Sequence, residues 1–159
     1  MVFSSESNQK ITALTSKIEE LSANPVFFTA TMDGPYGGSW LFKEKTTIRF
    51  PVIKQQLNAE FDQTGAFICR KNGIYHFDTT LLKMNDGQTY GATSIRIFHN
   101  DQQLCAGTDN DGHNYFHNLG CAATVNLKAG DKVYVELNSG SIHVAIYSSW
   151  TGFMITPMN

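Results

Sequence analysis

Phe61-Asp62-Gln63-Thr64-Gly65-Ala66-Phe67-Ile68-Cys69-Arg70-Lys71-Asn72-Gly73-Ile74-Tyr75-His76-Phe77 reads as short β-strands separated by tight turns. Asp62 to Gly65 is a turn of the type that Asp and Gly favour. Ala66 to Arg70 leans towards β structure. Asn72-Gly73 is the strongest short-range hairpin signal in the chain, because both residues tolerate positive φ. Ile74 to Leu82 continues with aromatic and β-branched residues. The stretch therefore predicts a strand before Asn72-Gly73 and a longer one after it, paired through that dipeptide.

On the C-terminal side the same period-2 grammar continues. Thr93, Ile95 and Ile97 alternate with Ser94 and Arg96, the mark of a half-buried strand. His99 to Asn118 is long, polar and rich in Gly, Asp and Asn, and reads as a loop. Cys121, Ala123, Val125 and Leu127 alternate, Lys128 to Asp131 turns, and Val133, Val135 and Leu137 alternate again. Ile142 to Tyr147 is expected as an edge strand, and Trp150 to Thr156 closes the chain. On the N-terminal side Val26 to Ala30 is a strand, Asp33 to Gly38 a loop, and Thr46 to Val52 strand material interrupted by Pro51. Eight to ten short strands at this spacing predict an all-β sandwich or barrel over residues 25–159.

Residues 1–24 differ. Ile11, Leu14, Ile18 and Leu21 are spaced three, four and three apart, which is an a/d heptad seam. Asn24-Pro25 ends the helix, since the residue before proline avoids the α region. Two heptads are marginal alone in water. The helix needs partner helices or a surface of its own domain to lie on, or it frays. Ile at a with Leu at d leans by itself towards dimers.

The chain has 159 residues, a single domain's worth, with 42% hydrophobic and 16% charged residues and a net charge of −2. It carries no basic field for nucleic acid, and no apolar run long enough for membrane insertion. Met1 to Lys10 is polar, so the chain is leaderless or begins after a removed leader. At most one pair among Cys69, Cys105 and Cys121 can bridge; small buried thiols are the simpler expectation. There is no Cys-x-x-Cys zinc pattern and no Asn-x-Ser/Thr sequon.

Several motifs, in order, resemble the C1q globular-head family. Phe61-Asp62-x-x-Thr64-Gly65-x-Phe67 followed by Gly73-Ile74-Tyr75-x-Phe77 is similar to its signature. Pro25 to Ala30 is similar to its opening strand, and Leu127-x-x-Gly130-Asp131-x-Val133 to its Leu-x-x-Gly-Asp-x-Val pattern. Trp150-x-Gly152-Phe153 resembles its closing motif. Pro51 departs from the pattern, standing where the family commonly has Asp. The resemblance spans about Asn24 to Pro157. It implies a ten-stranded jelly-roll sandwich that packs as a homotrimer and is usually secreted. With a short coiled coil in place of collagen, the chain is similar to invertebrate C1q-domain proteins, many of them innate-immune pattern-recognition lectins. The function implied is recognition of sialylated or microbial glycans; the rival is a secreted C1q/tumour necrosis factor-like ligand for a protein receptor.

Nothing in the chain favours catalysis. It has neither His-Glu-x-x-His nor a Gly-x-Ser-x-Gly elbow, and His76, between Tyr75 and Phe77, is expected to be a hydrogen-bonded structural histidine. Asp109-Asn110-Asp111-Gly112-His113 offers hard oxygen ligands near a flexible glycine. It reads as a solvated turn or as a Ca²⁺ or sugar contact through Asp109 and Asp111, Ca²⁺ being the only cofactor suggested. If loops alternate between the ends of a jelly roll, those around residues 70–73, 99–118 and 138–149 gather at the end away from the helix. They would bring together Lys71, Asn72, Asp109, Asp111, His113, Tyr115, His117 and Asn138, with Tyr115, Tyr147 or Trp150 as an aromatic platform.

Overall fold

The computed structural model describes residues 4–22, 25–32, 40–42, 45–84, 92–110, 117–139, 142–144 and 148–158. One helix precedes two antiparallel sheets. α1 spans Ser5–Ser22. Its first turn is capped by Ser4, whose Oγ accepts the Ser7 N–H at 3.3 Å. Ile11, Leu14 and Ile18 lie along it, each more than half exposed; the side chain of Leu21 lies outside the described ones.

The larger sheet runs β2 (Trp40–Phe42), β11 (Ile142–Val144), β6 (Gly73–Met84), β12 (Ser149–Pro157), β1 (Phe27–Thr31), β4 (Val52–Leu57). β9 (His117–Leu127) pairs with the other side of β6. The smaller sheet runs β3 (Thr46–Thr47), β10 (Lys132–Ser139), β7 (Thr93–His99), β8 (Gln102–Asp109), with β5 (Phe67–Ile68) also on β10. β3 and β5 are two-residue ladders, so ten longer strands build the two-sheet sandwich.

The core is aromatic. Phe28, Phe67, Tyr75, Phe77 and Trp150 are buried between the sheets. The Phe77 and Trp150 rings stack at 5.4 Å, and Phe67 sits 5.6 Å from Phe28 and 5.5 Å from Phe77. The rings meet because β12 has a glycine where they crowd its backbone. A Cβ at Gly152 would stand 2.5 Å from Phe28 Cε1 and 2.7 Å from Phe77 Cδ1.

Three expectations of strand and turn need correction. No hairpin forms at Asn72-Gly73: β5 pairs with β10, β6 with β9 and β12, and neither residue has positive φ. The chain crosses from the smaller sheet to the larger one there, and Asn72 instead uses its Oδ1 to accept the Ala129 N–H at 2.9 Å. The turn at Asp62 does form, with Gly65 at φ 92°. The polar stretch 99–118 contains a strand, β8, pairing with β7 from Thr93↔Asp109 to His99↔Gln102. Ile142–Val144 is no edge but lies between β2 and β6.

Two of the three cysteines are paired. Cys105 on β8 and Cys121 on β9 form a disulfide with Cα atoms 6.0 Å apart. It joins the sheets along one side, where β8 also passes so close to β9 that a Cβ at Gly107 would strike the Gly120 carbonyl. Cys69 meets the expectation of a small buried thiol. Its Sγ donates to the Lys71 carbonyl at 3.1 Å, and burial pushes its pKa up.

Gly152→Ala is expected to cost about 1–3 kcal/mol through overpacking against the two rings, read as a lower urea midpoint at unchanged m-value. Reducing the Cys105–Cys121 bond closes off a restraint on a loop of sequence separation 16 and is expected to remove about 3 kcal/mol. Superimposable melting curves with and without reductant would show that close packing alone holds the seam.

Candidate functional site

Register divides the sandwich into two poles. At the near pole, where the chain arrives from α1, Val26 accepts the Met154 N–H at 2.8 Å and Gly73 pairs with both Leu127 and Pro157. At the far pole Lys83 pairs with His117, Thr93 with Asp109, and Ser94 with Ser139. The group expected at one end is therefore split. Lys71 and Asn72 are at the near pole, whereas Asp109, His117 and Asn138 are at the far pole. The reason is that β6 runs the full height of the sandwich between them. Asp111, His113, Tyr115 and Tyr147 lie outside the described residues.

The near-pole residues are built into a mesh. Asp131 accepts from Lys128 N–H and His99 Nε2 at 2.9 Å each and from Asn100 Nδ2 at 3.1 Å. Burial alone would raise its carboxyl, but these donors hold it below the usual carboxylate range. Asn72 brackets the same turn. The carbonyl of Lys71 accepts the Tyr75 hydroxyl at 2.7 Å. The Gly130-Asp131 motif thus has a structural purpose.

At the far pole Asp109 is not a solvated loop ligand. It is a buried strand residue, 8% exposed, and its Oδ2 meets the buried Lys83 Nζ at 3.2 Å. A cation at that oxygen would compete with the ammonium. His117 lies beside Lys83 in the ladder, on the same face, and its buried Nε2 has no hydrogen-bond partner among the described residues. Asn138 faces outward on β10 and donates to Ser94 Oγ at 3.1 Å, which in turn meets Ser139 Oγ at 3.0 Å. Among the described residues no three His, Cys, Asp or Glu groups gather as metal ligands. Trp150 is core, 1% exposed, and offers no platform. His76 is hydrogen-bonded as expected, its Nδ1 3.0 Å from Thr124 Oγ1.

Two surfaces escaped the sequence reading. On the outer face of the larger sheet, Leu57, Phe27, Phe153, His76 and Thr124 stand in one cross-strand row. Leu57 and Phe153 are each 42% exposed, and Ile155 and Met158 lie nearby in solvent. The next row towards the far pole is Gln55, Thr29, Thr151, Asp78 and Ala122. The apolar half of the face is thus the near half. A signal did exist: Phe153, Met154 and Ile155 are consecutive apolar residues, which a strand wet on one face does not need. The second surface is a half-open cleft of about 190 Å³ lined by Ala30, Arg49, Phe50, Ile53, Phe61 and Trp150, with Asp62 and Gly65 at its rim. No sequence motif marks it.

Residues 28–155 match the C1q domain. Among solved structures, the globular domain of zebrafish complement 1qA protein superposes with a TM-score of 0.68 at 18% identity, covering 84% of this chain and 99% of that one. Eiger TNF from S. frugiperda gives 0.66 at 15%, covering 84% and 96%. Murine APRIL at pH 5.0 gives 0.58 at 11%, covering 82% and 99%. At these identities the likeness is one of fold.

Asp109→Ala strands the Lys83 ammonium in the interior and is expected to cost about 3–5 kcal/mol, whereas Lys83→Met combined with Asp109→Leu should be near neutral. Chemical denaturation of both variants checks this. Equal losses in the two would mean that the pair acts by shape rather than by charge.

Proposed function

Because this chain belongs to the C1q domain family, which is non-enzymatic, we propose that it is a secreted, lectin-like pattern-recognition protein of innate immunity that binds sialylated or microbial glycans as a homotrimer. C1q and tumour necrosis factor-fold proteins typically form trimers, and C1q-family proteins are usually secreted. The disulfide fits an oxidising compartment. The observation that carries the reading is the apolar row Leu57–Phe27–Phe153 on an outer sheet face. Buried against a second and third copy, it becomes core; left in water, it is an exposed patch of the kind that marks interaction sites.

The helix supports the same assembly. Its exposed Ile11, Leu14 and Ile18 offer a second apolar seam, on the segment that precedes β1 in the chain. Residues 1–24 are proposed as the stalk and 25–159 as the head. Three heads held together present three copies of any far-pole or cleft site in a common direction. Avidity then raises apparent affinity by about 10²–10⁴ without any new contact.

Equilibrium ultracentrifugation is expected to return three times the 17.7 kDa chain mass, and Phe153→Asp to return monomers. A wild-type monomer would sink the assembly. The ligand is tested by titrating a panel of sialylated and microbial glycans with and without a calcium chelator. Saturable binding supports the lectin reading, and its loss on chelation would assign Ca²⁺ a role. A blank panel on an intact trimer shifts the function to a protein receptor.

A further inference from the structure

Resting on the glycan reading, we infer that the cleft at Arg49 is a binding site for a sugar that carries a carboxylate. The cleft opens at one side of the sandwich, between β1, β4 and the Asp62 turn. Its accessible wall is apolar: the exposed Ile53 and the half-buried Phe61 face the opening, and the Phe50 and Trp150 rings, with centroids 6.4 Å apart, lie buried behind them. At about 190 Å³ it is smaller than the roughly 300 Å³ at which pockets for drug-sized ligands begin, and suits a single ring.

The charge at this cleft is unbalanced. Two ionisable groups line it, Arg49 and Asp62. Asp62 is committed elsewhere. Its Oδ1 accepts the Thr64 N–H at 2.9 Å, the Thr64 hydroxyl at 2.6 Å and the Ala66 N–H at 3.1 Å, while Oδ2 takes the Lys132 ammonium at 2.9 Å. Burial alone would raise its carboxyl; these donors hold it at about 2. Arg49 is exposed and has no hydrogen bond or ion pair among the described residues. So a cleft on a chain of net charge −2 displays one guanidinium with its counter-charge missing.

The guanidinium is also positioned. The Arg49 stem lies on the backbone of Gly65, where a Cβ would stand 3.0 Å from Arg49 Cγ. Gly65 is held in its turn by N–H donation to the Asp62 carbonyl at 3.1 Å. A planar guanidinium accepts a carboxylate bidentately, which an ammonium does not. A ring face against the apolar wall and a carboxylate on Arg49 together describe a sugar acid rather than a neutral sugar or a simple anion.

The test is calorimetric titration of the full-length protein with N-acetylneuraminic acid and with glucuronic acid, against N-acetylglucosamine, glucose and acetate. At least one acid is expected to saturate, with the neutral sugars and acetate at least tenfold weaker. Arg49→Ala should weaken the acid at least tenfold, and Arg49→Lys should fall between. Arg49 is exposed, and unchanged melting of both variants confirms folding. Wild-type-like binding by Arg49→Ala, acetate binding as tightly as the sugar acid, or no binding of either acid each overturns the assignment. The glycan panel separates the two levels: Arg49→Ala that still binds the panel removes the cleft and leaves the lectin function standing, whereas a blank wild-type panel removes the function itself.

Discussion

The close approach of rings over Gly152 is the constraint on which the sandwich depends. Phe28, Phe77 and Trp150 come from β1, β6 and β12, adjacent strands of the larger sheet, and Phe67 reaches them from the smaller one. Aromatic rings bury more surface than any aliphatic side chain, but they pack only if the backbone between them leaves room. A single position without a Cβ supplies that room. The close packing of the two sheets at this point follows from it.

Much of this was legible in the sequence because alternation survives wherever one face is buried and the other is wet. Val133, Val135 and Leu137 alternate with Tyr134, Glu136 and Asn138, and β10 is where they predict it. β8 was missed for the complementary reason. As an outer strand with few buried positions, it is written in Gln102, Gln103, Thr108 and Asp109, and its pattern is that of a loop. The Asn72-Gly73 signal misled because local turn chemistry cannot tell a hairpin from a crossing between sheets. The Cys105–Cys121 pair depends on two edges meeting in space, which spacing along the chain does not encode.

The candidate sites show a similar limit. Polar residues chosen for chemistry turn out to be occupied by structure: Asn72 brackets a turn, Asp109 neutralises Lys83, and Asn138 holds Ser94. What marks Arg49 is not its type but its place in a cleft with no ion-pair partner among the described residues, which is a property of the folded neighbourhood. The Lys83–Asp109 pair matters for the same reason in reverse. It neutralises an ammonium that would otherwise be buried alone at the far pole.

The near pole gathers Val26, at the head of β1, and Met158, whose N–H donates to the Asn72 carbonyl at 3.0 Å after β12 ends. These two strands are antiparallel neighbours. A force drawing residue 26 away from residue 158 therefore acts across the strands at one end of their ladder and opens it one rung at a time, as a zipper opens. A force transmitted from α1 to a ligand held elsewhere on the head runs instead along β1 and strains its rungs together. The same domain is then mechanically soft between residues 26 and 158 and stiff along β1, the direction in which a pull arriving from α1 loads it.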